Sequence, residues 1–414
     1  MPKKLLIIGW VWPEPNATAA GVRMLELIHF FLRSNYNITF ASTAKPIESL
    51  AHLTELGIEC KEIVLNNPSF DIFIQELQPN IVIFDRFIIE EQFGWRVAKH
   101  LPDALRILDT EDLHSLRKVR EQAFKEGSTF TIEQWKNSDI TKREIASIYR
   151  CDCSFIISSY EMELLQQIHV PKSLLFYLPF MLPEISEKDS RQLVPYDDRA
   201  NFICIGNGIH QPNVDAVLYL KKHIWPLIRK ELPKVSLHIY GAYLPQKITQ
   251  LHQPKENFLV LGKAKDAKEV MQQARINLAP LRFGAGIKGK LITAMQTGTP
   301  SICTTTASEG MHGNLPWPGA IEDSPEAFAN AAVQLYTHPS AWEVAQKRVI
   351  PVINTIYNDN ILSAELKKYL HHLEKHKEAH RNSNFTGAML QHHTMASAVY
   401  MSKWIEAKNN KNNN

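Results

Sequence analysis

The sequence predicts an α/β protein built from two doubly wound domains, on three observations. Short apolar runs alternate with amphipathic segments along most of the chain. The runs are continuously apolar, as expected for parallel strands covered by helices on both faces. A polar, proline-bounded stretch from Pro183 to Ala200 divides them into two series, and 414 residues exceed what one hydrophobic core usually serves.

The first series predicts strands near Leu5–Gly9, Ile38–Ser42, Glu62–Leu65, Ile81–Asp85, Arg106–Asp109 and Phe155–Ser158. After the first of these, Met24, Leu25, Leu27, Ile28, Phe31 and Leu32 recur at helical spacing and predict a helix over Val22–Leu32. The second series predicts strands near Phe202–Gly206, Val235–Gly241, Phe258–Leu261, Ile276–Leu281 and Ser301–Thr305. Residues 1–185 and 198–380 are the expected domains. The amphipathic segment 385–408 is expected to complete the first, and the Asn/Lys run 409–414 to be disordered. Ligands of such sheets bind beyond the carboxyl ends of the strands. That rule selects the loops after Gly9, Asp85, Asp109, Gly206, Gly241, Leu281 and Thr305.

Composition narrows the function. With 44% apolar and 21% charged residues the chain reads as soluble and globular. A net charge of +3 is too mild for a nucleic-acid binder, though it allows weak peripheral contact with anionic lipid. The five cysteines form no C-x-x-C pair and read as reduced thiols in a cytoplasmic protein. Lys3-Lys4 precede an apolar run of only four residues, a first strand and not a signal peptide. The expected location is cytoplasmic, at most peripheral at the inner face of the cytoplasmic membrane.

The most informative segment is 276–310. An apolar run ends in a glycine-rich turn, and a helix-like stretch follows with Lys288 and Lys290 in its first turn. A strand feeding a glycine loop at a helix start gathers free N–H groups and the positive dipole end. Lysine is unfavourable there unless an anion sits between, so the spacing predicts a phosphate site. Gly284-Ala285-Gly286-Ile287-Lys288-Gly289 also spells G-x-G-x-x-G, with Glu309 about twenty residues on, as in dinucleotide folds. The pattern sits late in the chain, and a lysine inside the turn would crowd a pyrophosphate.

Other groups cluster at strand ends. Asp109-Thr110-Glu111-Asp112-Leu113-His114 brings four titratable groups together. His114, with Asp112 second, could take a proton from a substrate or stabilise a developing positive charge, while Thr110, Asp109 or Asp112 caps the following helix. Gly206-Asn207-Gly208-Ile209-His210-Gln211-Pro212-Asn213 ends another strand and opens a helix at Pro212. There Asn207 and His210 could contact phosphates or other polar groups of a ligand. Trp10 and Trp12 line a stiff loop closed by Gly21, and one of them is expected to pack inward. His372, His376 and His380 share a helical spacing, but Lys377 stands where H-E-x-x-H needs its acid, so a solvated face and no metal site are expected.

Several strings, LAPLRFGAGIKGKLITAMQTGTP with the later SEG, IGNGIHQPNVDAV, LDTEDLHSLRKVR and QHHTMASAVYMSKWIEAK, resemble bacterial glycosyltransferases close to the retaining family-4 (glycosyl transferases group 1) enzymes. The resemblance implies the GT-B fold: two Rossmann-like domains with a deep cleft, and a C-terminal helix returning to the first. It implies transfer of a sugar from a nucleotide-diphosphate sugar to a hydroxyl of a glycan, lipid-linked or similar acceptor, with retention, without metal and without a cofactor. Lys288 would hold the donor diphosphate and act catalytically with His114 and Asp112. Gly284 and Gly286 would let the backbone approach, and Glu309 with Gly310 would lie near sugar or ribose hydroxyls. Gly21 and Arg23 would face the donor phosphates across the cleft. Gly206, Asn207, His210, Asn213, Gly241 and Arg282 complete the expected donor site. The family's paired glutamates are replaced by Ala285 and Thr293. Its Arg/Lys pair after the first donor-domain strand is replaced by Asn207, His210 and Asn213. Alternatives are an NAD(P)-dependent oxidoreductase, a GT-B sugar-nucleotide epimerase, and a non-catalytic subunit of a glycan assembly.

Overall fold

The computed structural model of the protein describes residues 2–45 and 50–412, without the side chains of 393–396 and 410–412. Among these residues the strands form two all-parallel sheets. The first has the order β3-β2-β1-β4-β5-β6-β7 and the second β10-β9-β8-β11-β12-β13. In the first sheet β1 is Lys3–Gly9, β2 Tyr36–Ser42, β3 Glu59–Glu62, β4 Ile81–Asp85, β5 Leu105–Asp109, β6 Cys153–Ile156 and β7 Leu175–Tyr177. In the second, β8 is Ala200–Ile205, β9 Leu237–Tyr240, β10 Phe258–Gly262, β11 Ala274–Ala279, β12 Ser301–Cys303 and β13 Gly319–Ile321. Helices cover both faces, so β4 and β5 are buried throughout and β1 from Leu5 onward, as their unbroken apolar runs require.

Strand order reverses direction on either side of β1 in the first sheet and of β8 in the second. Such switch points open a crevice at the carboxyl ends of the strands. Gly9, Asp85 and Asp109 border one crevice. Ile205 and Ala279 border the other.

Three sequence expectations need correction. The third strand lies at Glu59–Glu62, not 62–65. As an edge strand paired only to β2 it needs no apolar face, so hydrophobicity misplaced it. β7 and β13 span three residues each, too few for a pattern to register. The polar run expected to be disordered continues the helix Phe385–Asn412, since extending a formed helix is far easier than starting one; residues 413–414 lie outside the described residues.

The chain crosses between the sheets twice, side by side. Leu182 N–H donates to the Tyr357 carbonyl and Asp359 N–H to the Leu182 carbonyl. The helix Asp359–Lys375 then lays Leu362, Leu366, Leu370 and Leu373 on the first sheet's core, earlier than the 385–408 segment expected to make that return. No helix among the described residues is long and apolar enough to cross a membrane.

Candidate active site

The second sheet supplies one wall of the site. β11 ends at Ala279, the glycine turn follows, and the helix Gly289–Gln296 starts with Lys288 at its N-cap. Gly284 and Gly286 have φ of +156° and +64°, and Gly310 has +71°, values that glycine adopts without steric cost. A Cβ on Gly286 would lie 2.8 Å from Asp112 Cβ, so the turn touches the opposite wall. Lys288 is only 8% exposed, and its Nζ donates to the Gly286 carbonyl at 2.7 Å. Burial pushes its pKa down to about 8, with Glu309 opposing the shift and Arg120 adding to it. Lys290 Nζ donates to Asn213 Oδ1 at 2.7 Å. Asn213 Nδ2 donates to the Asn207 carbonyl, and Asn207 Nδ2 reaches the Ala17 carbonyl of the first-sheet half. Gly206 and Gly241 end neighbouring strands, where a Cβ on Gly241 would lie 2.2 Å from the Gly206 oxygen. His210 is the N-cap of Gln211–Tyr219, near enough to Arg117 and His114 on the opposite wall to interact with them electrostatically. Lys288, Lys290, Asn207, Asn213 and the glycines thus line the carboxyl end of the second sheet.

Two expected residues are engaged elsewhere. Arg23 is buried beneath the cleft, donating through Nη1 to both Asp109 oxygens at 2.5 and 2.6 Å and through Nη2 to the Leu178 carbonyl. It holds the end of β5 in place and is not free for a ligand: a guanidinium on the inner face of a helix meets the nearest buried acid first. Arg282 is tied bidentately to Asp215 and stacks over Phe124 and Tyr219. Gly21 packs against the Glu14 backbone, where a Cβ would meet it at 2.5 Å. Trp12 is buried while Trp10 stays partly exposed.

The first sheet supplies the other wall. Asp112 accepts from Arg117 Nε at 2.6 Å, and its Oδ1 lies 3.3 Å from His114 Nε2. Burial alone would raise Asp112, but Arg117, His114 and Arg86 outweigh it and hold the carboxyl well below its usual range. Burial pushes His114 down to about 4, with Asp112 opposing and Arg117 and Arg86 reinforcing the shift, so the imidazole is neutral at pH 7. Its ring also meets Phe87 edge-on at 5.9 Å. The helix His114–Lys125 is not capped from the 109–112 segment as expected. Its N-cap is Leu113, and the His114 and Ser115 N–H groups donate to Glu144 at 2.9 and 3.0 Å. The Thr110 hydroxyl instead donates to the Phe155 carbonyl of the neighbouring strand. Arg86 and Glu111 stand at φ of +76° and +60°, strained conformations at the very ends of β4 and β5.

Three residues of the site were not singled out by the sequence. Glu144 sits on the inner face of Asp139–Arg150, and burial raises it to about 7. Glu161 Oε1 accepts from both Leu113 N–H (3.0 Å) and Gly286 N–H (2.9 Å), bridging the walls. Burial raises it to about 8, Asp112 adding to the shift while those N–H groups and Lys288 oppose it. Arg120 clamps Glu309 bidentately at 2.7 and 2.9 Å and also donates to the Gly284 carbonyl and Tyr160 hydroxyl. An acid on the buried stripe of an amphipathic helix was the available signal for both glutamates. The histidine series also departs from expectation. The helix ends at Lys375, and His380 lies on the next helix, bonded to the Asp152 carbonyl. No cluster of potential metal ligands occurs among the described residues. A cavity of about 410 Å³ lies at the amino ends of β1, β4 and β5, far from these groups, and its charges pair with one another.

Comparison with known proteins bears on this arrangement. Residues 199–338, most of the second-sheet half, match the family described as Glycosyl transferases group 1. Anabaena Alr3699/HepE, solved with UDP and glucose, superposes with a TM-score of 0.64 at 11% identity, covering 89% of this chain and 99% of that one. The fold is GT-B. Sucrose-phosphate synthase from Thermosynechococcus elongatus gives 0.64 at 16% identity, covering 90% and 99%. A variant of S. aureus TarM, in complex with fondaparinux, alpha-GlcNAc-glycerol and UDP, gives 0.67 at 10% identity, covering 89% and 99%. No curated protein sequence matches the chain.

Proposed function

We propose that the protein is a retaining glycosyltransferase that moves a sugar from a nucleotide-diphosphate donor to a hydroxyl of a glycan, lipid-linked or similar acceptor. The chain carries a group 1 glycosyltransferase domain in a GT-B fold, and HepE and TarM were solved with UDP. The observation that carries the reading is Lys288: a buried lysine at a helix N-cap beside a glycine turn, facing Glu309 and the opposite wall. Buried cations and free N–H groups at a helix start are what a departing diphosphate needs. Fixed lysines do this in place of a metal, and the sequence contains no D-x-D.

The expected ligand groups already have internal partners. Gly286 N–H is taken by Glu161 and Lys288 Nζ by the Gly286 carbonyl. The diphosphate replaces both, exchanging a carboxyl for a phosphate. Asp112, kept ionised by Arg117, supplies fixed negative charge for a cationic sugar, and neutral His114 serves as a hydrogen-bond partner for a sugar or acceptor hydroxyl. Residues 1–185 with the returning C-terminal helices form the acceptor half. The free cysteines, four buried and Cys60 half-buried, fit a cytoplasmic setting.

Melting temperatures measured with UDP, GDP and NAD test the class, because a bound ligand stabilises by mass action. A shift with UDP or GDP is expected. A shift with NAD alone would turn the reading to an oxidoreductase. His114→Ala should depress catalysis and leave donor affinity nearly intact, and a large loss of donor affinity would move His114 to the donor site.

A further inference from the structure

The helix Phe385–Asn412 is set in one rotation by its polar contacts. Asn384 Nδ2 donates to the Tyr149 carbonyl and Gln391 Nε2 to the Arg150 carbonyl, both at 2.8 Å. Gly387 lies so close that a Cβ would sit 2.2 Å from the Tyr149 oxygen. Near the other end the buried Arg96 guanidinium holds Asp71, Ser402 Oγ and Glu406 together. With that face fixed inward, the opposite face carries Tyr400 at 73% exposure and Trp404 at 64%, with Met401, Met389 and Phe385 also exposed. At about 100° per residue, Phe385, Met389, Tyr400 and Trp404 fall within about 100° of one another, a single stripe.

The charges around the stripe are one-sided. Lys403 and Lys408 are exposed, and Lys408 Nζ lies 5.4 Å from the centre of the Trp404 ring. Glu406, the sole acid between 385 and 412, is spent on Arg96. Contiguous exposed apolar side chains on a soluble protein mark an interaction surface. Two kinds of surface could cover this one. Protein interfaces are depleted in lysine, whereas tryptophan and tyrosine beside lysines suit the boundary between headgroups and acyl chains.

We propose that this face of the terminal helix lies flat on an anionic lipid surface and holds the protein there peripherally. The rings enter the headgroup boundary while Lys403 and Lys408 meet the headgroups. The inference rests on this helix alone and stands whatever the enzyme transfers.

The test is sedimentation of the full-length protein with phosphatidylcholine vesicles, with and without phosphatidylglycerol. Binding to the phosphatidylglycerol vesicles, weakened by salt, is expected. Lys403→Gln and Lys408→Gln should each weaken it about fivefold, a lysine near such a surface contributing about 1 kcal/mol. Tyr400→Ser with Trp404→Ser should cost more than about tenfold, with the melting temperature unchanged because both rings are exposed. Equal binding to both vesicle types, no binding, or binding indifferent to these substitutions would overturn the proposal. So would a concentration-dependent dimer that Trp404→Ser dissolves, which would assign the face to a second copy of the chain.

Discussion

The carboxyl edge of the first sheet crowds Asp85, Arg86, Asp109, Glu111, Asp112, His114 and Arg117 into a short stretch, whereas the edge of the second offers Gly206, Gly241, Gly284, Gly286 and two lysines. The first wall takes its shape from paired charges recruited from distant elements: Arg23 for Asp109, Glu144 for the helix at His114, Glu161 for Leu113. The second takes its shape from the backbone itself, through positive φ and close approach. One wall should therefore fail when a partner is removed or the pH changes. The other should fail when a methyl group is added.

The largest expected effect comes from Arg23→Ala. It leaves Asp109 buried and unpaired, which should cost about 3–5 kcal/mol in denaturant unfolding. A loss below about 1 kcal/mol would mean that the first wall does not depend on its ion pairs. Gly286→Ala comes next. It demands positive φ from a residue whose Cβ would press on Asp112, so about 1–3 kcal/mol of strain is expected. The same press should part the walls, and solution scattering should report a larger radius of gyration. An unchanged radius with full activity would show that the turn tolerates a side chain.

The smallest effect separates the walls by pH. Burial raises Glu144 from 4.5 to about 7, so between those values the unfolded chain has released its proton and the folded chain has not. Its contribution to stability is complete below about pH 4.5 and is lost as pH rises through about 7. His114 acts in the opposite sense, its folded value falling to about 4, so stability is gained between there and 6.5. Glu144→Gln keeps one acceptor oxygen, enough for one of the two N–H groups, and removes the titration. The variant's stability should fall less than the wild type's across pH 4.5 to 7. Parallel profiles would rule out Glu144 as the source.

The same contrast explains what could be read from the sequence. The two parallel sheets were legible because their central strands are unbroken apolar runs. The glycine turn was legible as a turn because 284–290 is contiguous and local geometry dictates its residues. Glu144, Glu161 and Arg120 were not, because each acts on a partner 29 to 189 positions away in the chain. Arg23 was misjudged for the same reason, since nothing near it in the sequence announces Asp109 as its partner. The edge strand at Glu59–Glu62 escaped because exposure releases it from any hydrophobic pattern.

The central claim is that Lys288 and the glycine turn receive the diphosphate of an activated sugar. It is tested most directly by turnover of Lys288→Ala at saturating concentration of the donor found in the melting experiment. A fall of about 10²–10³-fold, with acceptor binding little changed, is the predicted result. Turnover at the wild-type rate would contradict it.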